Sequence, residues 1–484
     1  MPIDWIRELL ALSVILLAGA SVFYAVVRSP ERYARLERVA YCYPLGMAAL
    51  GIPMFLLSWA GYHLNVATIA GISLGGLMVA RLARGVPLAN FWLARGEPDT
   101  RQRFTEFEWV LLAIIIVCLA SRLVTSMLAP LNDNDGIAEW GFKAKILYYD
   151  TLKTTDYYYR AEFGFSNQTY PLLWPFMYAW MCTVLGKWDD LGMLILNPVN
   201  VIVFGILLYY TGRRYVVRPV ALGITAIMVS LPALLHYAEC GQADVPLMLM
   251  AGATFFCLFD WMQTRRLDAV LLASILMAGV LFLKVQGAVV FCAYGAVAAL
   301  SAWSGNRRKN FQQLVIFVVV ALGLMLPWYI FARRITNWNS GSDHVSIATI
   351  RWADLGPALL YVAEDGLRFY NSIHLPKWNI LFPTLVLAMA ISKSAWQKPW
   401  CFILPACILQ SAAIILIYIA APEPLSLGSG REFGWERDML VILAPLWLLL
   451  AKCADEQWRI WNNTENESRK EDREKRSKTA ISRI

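Results

Sequence analysis

The sequence predicts an all-α polytopic membrane protein, a bundle of about 13 transmembrane helices with amphipathic juxtamembrane helices in its outer loops. Hydrophobic residues make up 58% of the 484 residues and charged residues only 16%, whereas soluble domains contain about 25% charged residues. The apolar residues form runs close to the ~20 residues that cross a bilayer. Lys and Arg concentrate in the short loops between these runs.

Thirteen apolar runs are predicted to span. They lie at 8–27, 40–59, 64–80, 109–128, 190–211, 219–235, 243–260, 269–283, 287–303, 313–332, 379–394, 400–420 and 438–452. The first has no small-residue cleavage site after it, so we expect a transmembrane helix rather than a signal peptide. We divide the chain into a three-span N-terminal module (1–108), a catalytic region (109–452) and a charged, disordered cytoplasmic tail (453–484).

The distribution of basic residues predicts the orientation of the chain. Loops at 28–38, 81–103, 213–218, 265–266, 307–309 and 393–398, and the tail, carry Lys or Arg. Because such loops stay in the cytoplasm, we expect the N-terminus outside and the C-terminus inside a bacterial inner membrane. The outer loops are then 129–189, 333–377 and 421–437.

The apolar piece 171–186 is predicted not to span. It is short for a span and contains Pro171 and Pro175. A crossing here would also place Arg213 and Arg214 outside, against the charge rule. We therefore expect it to re-enter the membrane or lie in the outer interface, with Trp174 and Tyr178 as membrane anchors.

Other classes of site receive little support. The net charge of +8 follows from cytoplasmic loops, so no nucleic-acid partner is needed. The nine Cys are scattered singly without metal-type spacing. His344 and His374 are isolated, and a metal role for them is not expected.

Acidic residues mark two of the outer turns. Asp133 and Asp135 follow the fourth span, and Asp244 opens the seventh. A carboxylate at such a place can take a proton from an acceptor hydroxyl or amine. The alternative is a helix cap, which is common for Asp. Together the three carboxylates permit a divalent cation such as Mg or Mn without requiring one.

Cationic residues mark two more outer segments. Lys284 separates two apolar runs and must pair or extend toward the interface, and Arg437 precedes the last span. Both residue types bind phosphate, Arg by a bidentate fork. The alternatives are a snorkelling Lys and an anchoring Arg. Arg122, near the outer end of the fourth span, is expected to pair with Asp133 or Asp135.

A helical repeat of apolar residues from Ile137 to Leu147 predicts an amphipathic helix lying on the membrane. Lys143 and Lys145 would lie on its other faces, Lys145 in solvent and Lys143 available to the donor. A second such helix is predicted between Trp352 and Leu367. Acids and cations from distant segments at one face of one bundle indicate a transferase for a phosphate-linked lipid donor.

Five stretches resemble the GT-C glycosyltransferases, within them the bacterial relatives of protein O-mannosyltransferases and aminoarabinose transferases. They are DNDGIAEWGFKAK (133–145), QTYPLLWP (168–175), GQADVPL (241–247), KVQG (284–287) and WERDMLVILAP (435–445). The relatives more often have His-x-x-Tyr-Pro before residue 172 and Lys-Asn-Glu-Gly at 284–287. The resemblance covers about residues 109–450.

The resemblance implies a GT-C-like fold and inverting transfer of a sugar from a polyprenyl-phosphate donor to a glycan, lipid or protein acceptor. Asp135 or Asp133 would be the base, and Asp244 a second acid of the same cavity. Lys284 and Arg437 would hold the donor phosphate, with Lys143, Gln286 and Tyr170 beside the donor. Two alternatives remain: a surface-polysaccharide polymerase or ligase with a diphosphate-linked donor, and a non-enzymatic lipid-linked glycan transporter.

Overall fold

The computed structural model describes residues 2–84, 103–128, 130–335, 350–367, 378, 381–420 and 435–481. All regular elements in these ranges are helical. The α-helices are α1 Pro2–Val26, α2 Arg35–Ala60, α3 Val66–Arg84, α4 Glu106–Leu128, α5 Phe142–Tyr149, α6 Leu173–Leu185, α7 Leu196–Arg213, α8 Arg218–Val229, α9 Pro232–Tyr237, α10 Asp244–Thr264, α11 Leu267–Leu283, α12 Gly287–Ala302, α13 Arg307–Ala332, α14 Leu355–Leu367, α15 Leu381–Ile391, α16 Ile403–Ala420, α17 Trp435–Asp438 and α18 Leu443–Ile481.

Eight helices are long and apolar enough to cross a membrane, and each coincides with a predicted span. Four other predicted spans are apolar helices of 10–17 residues, namely α8, α11, α12 and α15. The last predicted span begins the 39-residue helix α18. The protein is therefore an all-helical, membrane-embedded bundle in the part that the structure describes, and the count of 13 crossings stays a prediction.

Burial orders the helices from the centre of the bundle outward. The most apolar window of α10 is 100% buried, whereas that of α4 is 6% buried. Both helices are apolar along their length, so the difference reflects position rather than composition. An apolar helix with almost no protein around it is stable only against lipid. Helix α4 therefore lies on the lipid-facing periphery, and α10 is the central helix that carries Asp244.

The basic loops gather at one end of the bundle, as the charge pattern predicts. Ion pairs and hydrogen bonds connect them there: Arg214 with Glu37, Arg218 with Glu108, Arg265 with Ser304, and the Val217 amide with Asp455. The acidic segments around residues 133, 244 and 438 meet at the opposite end. We call these the basic end and the acidic end.

Helix α6 begins and ends at the acidic end. The Trp174 indole near its start donates to the Gly241 carbonyl at 3.3 Å, and Arg7 donates to the Leu185 carbonyl at its end at 2.5 Å. A helix of 13 residues is also shorter than the ~20 residues of a typical transmembrane helix. Trp174 and Tyr178 are fully buried in protein, so their prediction as membrane anchors is wrong.

The predicted amphipathic helix at 137–147 is a π-helical turn, Gly136–Gly141, followed by α5. Trp140 and Leu147 are buried as the periodicity predicts. Lys143 is buried together with them. The second predicted amphipathic helix corresponds to α14, whose flanking residues 336–349 and 368–377 lie outside the described residues.

The tail is helical to Ile481, and the prediction of disorder for 453–481 is wrong. Its composition is polar, but Glu, Lys and Arg are strong helix formers. Opposite charges four residues apart add to this preference, as in the pair of Arg459 with Asp455 at 2.8 Å. A helix that already starts inside the bundle therefore continues beyond it.

Candidate functional site

Five chain segments bring charged and polar side chains together at the acidic end. They are the turn before the π-helix, the start of α10, the break between α11 and α12, the end of α16, and α17. We call this group the acid–base cluster, and its members are Asp133, Asp135, Gln242, Asp244, Lys284, Gln286, Tyr418, Arg437 and Asp438.

Lys284 forms the buried part of the cluster. It has an extended backbone between the two helices. Its Nζ lies 2.6 Å from Asp244 Oδ1 and 3.5 Å from Asp438 Oδ1. The Lys284 and Asp244 side chains are 9% and 2% exposed. A charged pair this far from water persists only because each ion compensates the other. The snorkelling alternative for Lys284 is therefore replaced by pairing.

Arg437 forms the more open part of the cluster. It is paired with Asp135, whose side chain is 45% exposed. The same guanidinium is 3.4 Å from Gln242 Oε1, and Gln242 Nε2 donates to Asp133 Oδ2 at 2.8 Å. The amide of Gln242 thus connects the two predicted acids through Arg437. Asp133 also accepts the Gly136 amide at 2.8 Å, so the capping alternative holds for this residue.

Asp438 is tied to its neighbours through both side chain and backbone. The Tyr418 hydroxyl donates to Asp438 Oδ2 at 2.7 Å. Gln286 Nε2 donates to the backbone carbonyl of Asp438 at 2.9 Å. Gln286, predicted beside the donor phosphate, therefore holds the backbone that carries Arg437. The Oε1 atom of Gln286 has no partner among the described residues.

Two buried polar atoms of the cluster have no hydrogen-bond partner among the described residues. They are Arg437 Nε and Gln286 Oε1. Buried polar groups in native proteins are nearly always hydrogen-bonded. Unused capacity on an arginine and an amide in one cluster indicates a place where a further polar ligand can bind.

Lys143, eight positions after Asp135, and Tyr170 belong to a second group. Lys143 Nζ is 2.8 Å from both Glu139 Oε2 and the Asn167 carbonyl. It also lies over the rings of Trp140 and Tyr170, 5.6 and 5.2 Å from their centroids. A lysine held on all these sides has a structural role in this arrangement.

The structure gives Arg122 a different partner from the predicted one. Arg122 pairs with Glu239 and donates to the Leu235 carbonyl, so its expected pairing with Asp133 or Asp135 is wrong. Burial raises the pKa of the Cys240 thiol to about 12, which keeps it neutral. His344 and His374 lie outside the described residues.

A metal does not fit the donor set of the described part of the cluster. Among the described residues no three His, Cys, Asp or Glu side chains come together as metal ligands. Asp133, Asp135 and Asp244 are instead held by Gln242, Arg437 and Lys284 in turn. Nitrogen donors occupy the oxygens that a Mg²⁺ or Mn²⁺ ion would need. We derive no chemical step through a metal.

Sequence reasoning missed Gln242, Tyr418 and Asp438 as site residues. Gln242 and Asp438 adjoin the predicted Asp244 and Arg437, which was the available signal. For Tyr418 the sequence carries no signal, because it ends an ordinary apolar helix.

These features define the class: an all-helical membrane-embedded protein with a partly buried acid–base cluster at one end of its bundle. No protein-family model, curated protein or solved structure matches the chain.

Proposed function

We propose that the protein is a GT-C-like glycosyltransferase of a bacterial inner membrane. It would transfer a hexosyl or pentosyl unit from a polyprenyl-phosphate donor to an acceptor on the outer face. The observation that supports this is the convergence of Asp135 and Arg437, 302 positions apart, with the Asp244–Lys284 pair. Acids for proton transfer and cations for a phosphate are the groups that such a reaction uses.

In the proposed reaction the acceptor oxygen or nitrogen attacks the anomeric carbon while the bond from that carbon to the phosphate oxygen breaks. The phosphate leaves with the bonding electron pair, and Asp135 takes the proton of the acceptor. Arg437 and Lys284 stabilise the negative charge that develops on the leaving phosphate. One displacement inverts the configuration of the sugar.

Charge determines how a phosphate can enter. The cluster has four carboxylates, Asp133, Asp135, Asp244 and Asp438, and two cationic groups, Lys284 and Arg437. A phosphate added to these would increase an existing excess of negative charge. We infer that the donor replaces a carboxylate on a cation rather than joining it. Asp135 is the more exposed partner, so its exchange on Arg437 requires the least desolvation.

This exchange couples binding to reactivity. While Asp135 is paired with Arg437, its carboxylate is engaged. Once phosphate oxygens take over the guanidinium, including the unpartnered Nε, Asp135 is free to accept a proton. A carboxylate released only when the donor is bound would act as base only when a leaving group is present.

The test is transfer of labelled sugar from a polyprenyl-phosphate donor by purified full-length protein, with an outer-membrane extract as acceptor source. Asp135→Asn should lower turnover by at least about 10²-fold, the usual size of a general-base contribution. Glu239→Gln removes the same charge from the same end of the bundle and should stay near wild type. Near-normal turnover of Asp135→Asn would remove this residue from the mechanism.

A parallel binding measurement separates the rivals. Polyprenyl phosphate and polyprenyl diphosphate, the lipid products of the two donor classes, are titrated against wild type and Arg437→Gln. Preference for the monophosphate that is lost in Arg437→Gln supports the proposal. Preference for the diphosphate favours a polymerase or ligase, and movement of intact donor across a vesicle membrane without cleavage favours a transporter.

A further inference from the structure

A charged cavity lies at the basic end, far from the acid–base cluster. It has a volume of about 580 Å³ and is lined by the ends of α1, α3 and α11 and by the turn after α1. This volume is in the range of pockets that hold small molecules. Since the helices that form it are candidate membrane spans or short apolar helices, it opens where the bundle meets the headgroup level.

The charged side chains of this cleft are unequal in their pairing. Arg28, Arg32 and Arg266 line it together with Asp268. Arg266 is paired with Asp268, and Asp260 lies 3.9 Å away. Arg28 and Arg32 are exposed and make no ion pair with any described residue. Among the described residues, the cleft therefore offers two guanidinium groups that are in no ion pair, which suit the oxygens of a phosphate.

The backbone between these two arginines is held in a fixed turn. Residues Pro30–Arg32 form a 3-10 turn. The Arg32 amide donates to the Ser29 carbonyl at 3.3 Å, and the Tyr33 amide donates to the Pro30 carbonyl at 3.1 Å. Pro30 adds a restricted φ. Holding both arginines on one turn lowers the entropy lost when a shared anion binds.

Apart from Ser29, the rest of the lining is apolar. Ala25, Val26, Ala83, Leu267 and Leu271 form the walls. A free inorganic anion gains nothing from contact with apolar walls, whereas a phospholipid can place its phosphate on the arginines and its acyl chains on the walls. Helix α3 leaves such walls accessible, because only 22% of its most apolar window is buried, compared with 50% for α1 and 72% for α2.

We propose that this cleft binds the phosphate of an anionic phospholipid in the leaflet at the basic end, with Arg28 and Arg32 as the phosphate ligands. The acyl chains run along the apolar walls between α1, α3 and α11. Basic pockets between transmembrane helices on the cytoplasmic side are suited to such headgroups. The lipid joins the loosely packed α3 to the rest of the bundle.

The experiment measures lipid retention by purified full-length protein with native mass spectrometry and with thermal unfolding. The probes are phosphatidylglycerol, phosphatidylethanolamine with the same acyl chains, and inorganic phosphate alone. Wild type should retain phosphatidylglycerol preferentially and gain thermal stability from it. The double variant Arg28→Gln/Arg32→Gln should lose retention by at least about tenfold, given about 1 kcal/mol for each basic residue near anionic lipid.

The matched control is Arg308→Gln/Lys309→Gln, which removes two positive charges from the exposed first turn of α13 at the basic end. It should change retention by less than about twofold. Arg28→Lys/Arg32→Lys keeps the charge and should keep most of the binding, which separates lost charge from misfolding.

Three results would overturn the proposal. The first is equal loss of retention in both Gln variants, which indicates general surface attraction. The second is retention of phosphatidylethanolamine as strong as that of phosphatidylglycerol. The third is full stabilisation by inorganic phosphate alone, which indicates a site for a soluble anion.

Discussion

At the residue scale, the two ion pairs of the acid–base cluster differ in how easily they can be opened. Asp244 and Lys284 are almost without solvent contact, so separating them leaves an uncompensated buried charge. Asp135 and Arg437 are partly exposed, so water can replace a lost partner. The first pair therefore maintains the geometry, and the second is the one suited to exchange with a ligand.

Lys143 gives the clearest residue-scale prediction. Lys143→Met leaves Glu139 charged and buried, which should destabilise the fold by about 3 kcal/mol. Lys145→Met, two positions along the same helix and exposed, should cost less than about 0.5 kcal/mol. Unfolding in mild denaturant with detergent-solubilised protein measures both. Equal stability of the two variants, with donor binding lost only in Lys143→Met, would instead return Lys143 to the donor site.

The sequence could not predict which acidic side chain each basic side chain pairs with. Proximity along the chain predicts that Arg122 pairs with Asp133 or Asp135, yet Arg122 pairs with Glu239. The chain position of an acid says little about which helix face it occupies after packing. For the same reason the sequence placed Asp135, Asp244, Lys284 and Arg437 at one end but could not pair them.

At the element scale, the break between α11 and α12 presents Lys284. A side chain at Gly287 would place its Cβ 2.3 Å from the Val280 carbonyl oxygen, so only glycine fits this close approach. The tight return leaves Lys284 extended and directed to the start of α10. Apolar runs on both sides made the break visible in the sequence, because a lysine cannot stay unpaired in such a place.

A second element contact, at the basic end, predicts a pH dependence. Glu456 on α18 accepts the Ser392 and Ser394 hydroxyls, both at 2.6 Å, and the Ser394 amide at 3.0 Å. Hydrogen bonds from these serines lower the pKa of Glu456 to about 2, from an ordinary value of 4.5. A lowered folded-state pKa adds stability above about pH 4.5, and this stability is lost as the pH falls toward 2.

Glu456→Gln should therefore lower the thermal midpoint at neutral pH. The free energy of unfolding should fall by about 1 kcal/mol or less, because the site is partly exposed. The difference from wild type should be constant above about pH 5 and shrink at lower pH. Thermal unfolding followed between pH 3 and 8 measures it. Glu467→Gln, exposed on the same helix, is the control, and a difference that grows on acidification would contradict the assignment.

At the scale of the whole molecule, charge and hydropathy predict the segregation into two ends but not the orientation of every helix within it. Helix positions are local properties of the chain, so 13 predicted spans each coincide with a helix. Polarity alone predicts disorder for 453–481, and this is wrong because many of these residues favour helix. The depth of α6 depends on the helices around it.

Sidedness can be tested by labelling single cysteines with a membrane-impermeant thiol reagent. The background would carry Ser at Cys118, Cys292 and Cys401, the cysteines that are not buried. Cysteines at Asn134 and Lys187 should react in intact cells, and one at Arg308 only after permeabilisation. If Lys187 reacted only after permeabilisation and Arg308 in intact cells, helix α6 would cross the membrane and every later loop would change sides.

The contact between Asp135 and Arg437 also constrains biosynthesis. The ribosome adds Arg437 302 codons after Asp135, its partner in the ion pair. The first outer loop therefore lacks this partner during most of translation. A chain arrested before residue 435 would insert many helices yet keep Asp135 accessible. Protease sensitivity of the 130–136 turn should therefore fall late, when the closing segment has been exported.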